Sequence, residues 1–122
     1  METNTGVWVS TLDTGTNPLS NDSDSDGLND GIETNTAEYI DASDTGTDPN
    51  DSDTDNDGLL DGAETNTNAY VSTSDTGTNP LESDSDYDGY SDYVETNTGT
   101  WTSTNDTGTD PNLGDTDNDG II

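Results

Sequence analysis

Asp53, Asp55, Asp57, Asp61 and Glu64 stand at positions 1, 3, 5, 9 and 12 of one twelve-residue stretch, DTDNDGLLDGAE. Alternate residues of an extended segment point the same way, so Asp-x-Asp-x-Asp aims three carboxylates at one point. Gly58 at position 6 permits the sharp turn that follows. The backbone carbonyl of Leu59 at position 7, Asp61 directly or through water, and a bidentate Glu64 would close a cage of about seven oxygens. A hard, all-oxygen set of that size suits Ca²⁺. Mg²⁺ wants an octahedral, water-rich site, and Zn²⁺ would want His or Cys, of which the chain has none.

The same spacing occurs three more times. Asp22–Glu33 offers Asp22, Asp24, Asp26, the Leu28 carbonyl, Asp30 and Glu33. Asp84–Glu95 offers Asp84, Asp86, Asp88, the Tyr90 carbonyl, Asp92 and Glu95. Asp115–Ile122 offers Asp115, Asp117, Asp119 and the Ile121 carbonyl, and reaches only position 8. Glu2 stands where position 12 of an earlier loop would be. Glu2, Glu33, Glu64 and Glu95 are 31 residues apart. The expected organisation is four 31-residue repeats at 2–32, 33–63, 64–94 and 95–122, the last with a truncated loop.

The 122 residues include 29 acids and no Lys, Arg, His or Cys, for a net charge of -29. Only 22% are hydrophobic, too few for an ordinary core, and such a composition ordinarily means disorder. The acids, however, hold a register. Nineteen fall on loop ligand positions, which a disordered acidic tail would not maintain. Five carboxylates about 6 Å apart repel by ~0.7 kcal/mol per pair even in water, roughly 7 kcal/mol per loop. That rivals the stability of a whole domain, and no basic residue offsets it. A bound cation is therefore expected to supply the folding energy, and the metal-free chain is expected to be disordered.

The segments that must position the loops also repeat. After each Glu comes Thr-Asn-Thr, then a short stretch with one aromatic at a fixed place (Trp8, Tyr39, Tyr70, Trp101). Asp-Thr-Gly-Thr, Asn or Asp, and Pro follow, and each loop begins four residues after its Pro. Val7–Ser10 and Tyr70–Thr73 have the composition of short strands. Asp-Thr-Gly-Thr reads as a turn, and Leu59 with Ala63 suggests one helical turn at the loop exit. Asp13, Asp44, Asp75 and Asp106, with Asn17, Asp48, Asn79 and Asp110, would either cap turns or serve a second ion. A finer alternation, Asn-Pro-Leu in repeats one and three against Asp-Pro-Asn in two and four, suggests a 62-residue pair. The expected fold is thus a linear, Ca²⁺-stabilised tandem-repeat array, mostly irregular or short-β, with little helix. The fixed aromatic would be either a contact between neighbours or a lid on its own repeat.

Asp-x-Asp-x-Asp-Gly-x-x-Asp-x-x-Glu preceded by Gly-Thr-Asp/Asn-Pro resembles the bacterial relatives of the thrombospondin type 3 repeat. The resemblance implies a Ca²⁺-wrapped array with more than one ion per repeat. It also implies secreted or cell-surface proteins in which such arrays serve as spacers, stalks or adhesive segments. The chain departs from that pattern in its longer connector between Glu-Thr-Asn-Thr and Asp-Thr-Gly-Thr, and in a last loop without positions 9 and 12.

Several function classes are disfavoured. Nothing here would neutralise phosphate, so nucleic acid is not an expected partner. No apolar run could cross a membrane. Catalysis has no His, Lys or Cys to draw on, and the paired acids are committed to metal. A sensor's Met-rich groove is missing, Met1 being the only Met. What remains is an extracellular structural Ca²⁺ array. The alternative is a Ca²⁺-dependent adhesive module that binds ice or glycans through Thr-x-Thr rows such as Thr34/Thr36 and Thr45/Thr47. Sequons at Asn21, Asn50 and Asn105 could carry attached glycans, but they do not fall at one repeat position and read as incidental to the Asp- and Ser-rich composition. A chain starting at loop position 11 and ending at position 8 would be a window on a longer array. Otherwise it would be a head-to-tail filament subunit whose Glu2 completes the Asp115 loop of the next copy.

Overall fold

A computed structural model describes all 122 residues, Met1–Ile122. Regular structure is confined to two single 3₁₀ turns, Asp61–Ala63 and Asp92–Val94. Four isolated antiparallel bridges join Ser10 to Asp13, Asp41 to Asp44, Ser72 to Asp75 and Ser103 to Asp106. No helix is long and apolar enough to cross a membrane.

The same irregular hairpin recurs every 31 residues. In 33–47 the Asn35 N–H donates to the Thr47 carbonyl at 2.8 Å and the Ala37 N–H to the Gly46 carbonyl at 3.0 Å. The Thr45 N–H donates to the Ile32 carbonyl at 2.9 Å. Matching bonds join Asn66 to Thr78 and Asn97 to Thr109. These pairings do not extend into the strands that Val7–Ser10 and Tyr70–Thr73 suggested. Left-handed residues interrupt both arms: Asn35 at φ 48, Ala37 at φ 56 and Gly46 at φ 74 in this hairpin. A β ladder cannot continue through that conformation. Gly46 also lies so close to the opposite arm that a Cβ would collide with the backbone of Glu38. The loop exit likewise makes one 3₁₀ turn where a helical turn was expected, in two of the loops.

The extra acids and amides outside the loops all accept local hydrogen bonds. Asp13, Asp44, Asp75 and Asp106 each accept a hydrogen bond from a Thr hydroxyl ten residues earlier, as from Thr34 to Asp44 at 2.6 Å. Asn17, Asp48, Asn79 and Asp110 each accept the N–H of the residue two ahead, closing the turn around Pro.

Nothing apolar and large is buried. The buried side chains are Thr, Asp and Glu, together with Gly and Pro. The accessible surface is nevertheless 6709 Å², close to the roughly 6300 Å² of a compact monomer of this mass. Polar groups are packed where a core would be. Neighbouring periods touch through the fixed aromatics: the Tyr39 hydroxyl donates to the Thr65 carbonyl at 3.2 Å, and Tyr90 meets Trp101 edge-on at 6.1 Å.

Ala37 is the one residue at its hairpin position without a local remedy for positive φ, since Gly6, Asn68 and Gly99 stand at the equivalent places. Ala37→Gly should therefore raise stability by about 1 kcal/mol, read as a higher thermal midpoint under ion-saturating conditions.

Candidate metal centre

Each loop is wound by its own carboxylates. In 53–64, Asp53 Oδ2 accepts the Gly58 N–H at 3.0 Å, Asp55 Oδ1 the Asp57 N–H at 3.1 Å, and Asp57 Oδ1 the Leu59 N–H at 2.7 Å. Position 4 takes the left-handed conformation in every loop: Ser25, Asn56, Tyr87 and Asn118. This winding brings Asp22, Asp24 and Asp26 together, likewise Asp53, Asp55 and Asp57, and Asp84, Asp86 and Asp88. Within each trio, one oxygen per residue lies inside 4.8 Å of the others. The carbonyls of Leu28, Leu59, Tyr90 and Ile121 accept no protein hydrogen bond. Asp115, Asp117 and Asp119 repeat the winding, with Asp115 Oδ2 accepting the Gly120 N–H at 2.8 Å, but Asp117 and Asp119 are exposed. Glu2 is exposed.

A second kind of cluster lies between loops. Asp26 and Glu33 of one loop meet Asp61 of the next, and Asp57 and Glu64 meet Asp92. The position-9 acid thus faces the preceding loop's Glu. It is held there by its own loop, because Asp61 accepts both the N–H and the hydroxyl of Thr54, at 2.8 and 2.6 Å. Ser85 holds Asp92, and Ser23 holds Asp30, in the same way. Close approach of the loops is needed, and a Cβ on Gly62 would strike the Asp26 carbonyl.

The Glu side chains at position 12 of the three full loops are almost wholly buried. Glu33, Glu64 and Glu95 are 1%, 3% and 2% exposed. Each Oε1 accepts one hydroxyl, from Thr47, Thr78 and Thr109 at 3.1, 2.9 and 2.7 Å. Each Oε2 is buried with no donor, and so are Asp24 Oδ2, Asp26 Oδ2, Asp55 Oδ2 and Asp86 Oδ2. One oxygen of each acid is fixed by the protein and the other is left for something else. The spacing of the acids does not mark these Thr residues of Asp-Thr-Gly-Thr as part of the site. Their recurrence in every period was the signal available.

Burial, reinforced by neighbouring acids, pushes the Glu33, Glu64 and Glu95 carboxyls up to about 8, about 9 and about 8. The same causes lift Asp55 and Asp61 to about 7, and Asp24, Asp86 and Asp92 to about 6. Packed acids with unpartnered buried oxygens and no cationic side chain fit a multivalent cation bound by oxygen.

The Thr rows do not form an open face. Thr45 and Thr47 are 3% and 0% exposed, and Thr34 is tied to Asp44. Thr36 is exposed. Of the sequons, Asn50 has its amide engaged with the Thr14 carbonyl and Asn21 donates to Asn29, while Asn105 is exposed.

Two expectations follow. Thr47→Val, which keeps shape but removes the hydroxyl, should weaken cation binding about tenfold at the adjacent cluster, measured by calorimetric titration. The raised carboxyl values mean that the cation-free fold holds more protons than the unfolded chain above about pH 4. Its stability is fullest below that pH and is lost as pH rises through 6 to 9. Cation binding must displace those protons. Affinity should climb over the same window, with proton release at pH 7 seen as a buffer-dependent binding enthalpy.

Residues 53–68 and 84–100 match the family model of the bacterial TSP3 repeat. Both segments open on position 1 of a loop and run past its Glu into the next hairpin. No curated protein and no solved structure matches the chain.

Proposed function

We propose that this chain, which carries bacterial TSP3 repeats, is a structural Ca²⁺-binding array of four repeats at 2–32, 33–63, 64–94 and 95–122. The observation that carries the reading is the set of buried, half-satisfied Glu carboxylates in a chain without one basic side chain. Leaving such oxygens unpaired costs more than a typical fold can bear, and a divalent ion removes that cost.

In this reading the loop acids and the position-7 carbonyl hold one ion. The position-5 Asp, the position-12 Glu and the next loop's position-9 Asp hold another. Asp26 and Asp57 then belong to both kinds of site. The ion supplies charge neutralisation and nothing reactive, so the role is mechanical rather than catalytic. Rigid, cation-filled repeats suit a stalk, spacer or fibre outside the cell, where free Ca²⁺ is in the millimolar range that extracellular modules use. Because each repeat offers one face to the repeat before it and a different face to the repeat after it, such contacts are head-to-tail and can extend into a longer array or a filament. The adhesive alternative draws support only from the exposed Thr5, Thr36, Thr67 and Thr98, a narrower row than the Thr content suggests.

Far-UV circular dichroism should show an ordered chain in millimolar Ca²⁺ and a disordered one in chelator; superimposable spectra would end the proposal. Asp57→Ala should lose more bound Ca²⁺ and more protection than Asp53→Ala, since Asp57 serves two clusters and Asp53 one. Equal losses, by calorimetry and native mass spectrometry, would count against the shared-ligand arrangement.

A further inference from the structure

The residue after each Pro alternates: Leu19, Asn50, Leu81, Asn112. The Asn50 amide donates to the Thr14 carbonyl at 2.9 Å, and the Asn112 amide donates to the Thr76 carbonyl at 2.8 Å. Both bonds reach back 36 residues, across the joint between two repeats. Both amides are steered by the preceding turn, where Asp48 and Asp110 accept the Asn backbone N–H at 3.1 Å. The second of these receiving residues is part of the metal-site support. The Thr76 hydroxyl lies 2.6 Å from that of Thr78, which in turn holds Glu64.

The middle joint is built differently. The equivalent acceptor there is the Thr45 carbonyl, in a residue 3% exposed, and no protein group donates to it. Leu81 stands where the amide would be. This joint uses instead the Tyr39 hydroxyl on the Thr65 carbonyl at 3.2 Å and the Tyr93 N–H on Asp57 Oδ2 at 3.1 Å.

We propose that Asn50 and Asn112 are the positioning residues that join the repeats in pairs, 2–63 and 64–122, so that each pair opens as one unit and the joint between the pairs opens first. An amide on a half-buried carbonyl at Thr14, and on a buried one at Thr76, satisfies an acceptor that the middle joint leaves unpaired, and that difference favours the two locked joints. The Tyr39 bond is longer and sits on a half-buried ring, and the Tyr93 bond is exposed to solvent, where a hydrogen bond to a carboxylate contributes little, so together they substitute for the lock only in part. Coupling in a linear array is between nearest neighbours, so an unequal joint sets where cooperativity breaks. The first and middle joints both carry an interloop acid cluster, Asp26 with Glu33 and Asp61, and Asp57 with Glu64 and Asp92. Those two therefore differ in the lock and not in their ion ligands, while the third joint is held by Asn112 and by Tyr90 on Trp101.

Hydrogen exchange by mass spectrometry on the full chain, in Ca²⁺, reads every joint at once. Backbone amides around Thr45 and Leu81 should exchange about fivefold faster or more than those around Thr14 with Asn50 and Thr76 with Asn112, the ratio one net hydrogen bond commonly supplies. Asn50→Leu should bring the first joint to the middle joint's rate and leave the third unchanged. Leu81→Asn should slow the middle joint toward the others. Each substitution installs a residue that the same turn already carries elsewhere in the chain, so the fold is retained. Equal exchange at all three joints of the unaltered chain, or an Asn50→Leu variant whose first joint exchanges as before, would overturn the pairing.

Discussion

Everything in this molecule depends on putting carboxylates inside without a cationic side chain to meet them. Of 29 acids, several are almost wholly buried, and no Lys, Arg or His exists to pair with any. In an ordinary domain the conformational entropy lost on folding is offset by buried apolar surface. Here no large apolar side chain is buried at all. The acids themselves oppose folding through desolvation and mutual repulsion, so the protein alone has no large favourable term. The hydrogen bonds it does make shape the cage: Thr47, Thr78 and Thr109 fix one oxygen of each Glu and leave the other bare. A protein that meant to keep these acids neutral and closed would have satisfied both oxygens.

The backbone conformation follows from the same constraint. To turn three alternate carboxylates inward and then return, the chain needs left-handed residues at loop positions 4 and 6. To bring the hairpin Thr residues under the Glu, it needs three more in the arms and turn, as at Asn66, Asn68 and Gly77. Asn and Gly fill most of these places, because they tolerate positive φ with little strain. Ser25, Ala37 and Tyr87 stand at the others, and there the geometry is imposed by the surrounding hydrogen bonds. Such a backbone cannot also make strands. Irregularity is therefore a requirement of the cage and not a lack of order.

The loop acids were legible in the sequence because their convergence is local. Spacing over six residues decides which way Asp53, Asp55 and Asp57 point, and the structure groups them accordingly. The 31-residue period and the near absence of helix were legible for the same reason. The partner of Asp61 was not. Position 9 faces the preceding Glu33 because of how far one repeat is offset on the next, and no local pattern carries that offset. Nor did the sequence distinguish Thr47 from Thr36, which look alike in Thr-x-Thr rows; only the hairpin pairing sends one inward to Glu33 and the other out to solvent. The expected strands failed on the left-handed residues that composition alone does not reveal.

Sharing one Asp between two clusters raises the question of whether two cations would help or hinder each other. Asp53, Asp55 and Asp57 with Glu64 and Asp92 are five acids around two adjacent sites. One divalent ion leaves a net charge of about −3 there, and a second brings it to about −1, so the second ion still enters a negative site. The first ion also fixes Asp57, which the second requires, and so lowers the ordering cost that remains. The residual negative charge keeps entry of the second ion favourable but weaker than that of the first, and the ordering effect is the one that couples the two sites positively. Because Asp92 comes from the next loop, filling that site would also draw the neighbouring repeat into place. Ion binding and repeat-to-repeat docking would then be one process, and the stiffness of such an array would follow from the number of joints whose shared carboxylates are occupied.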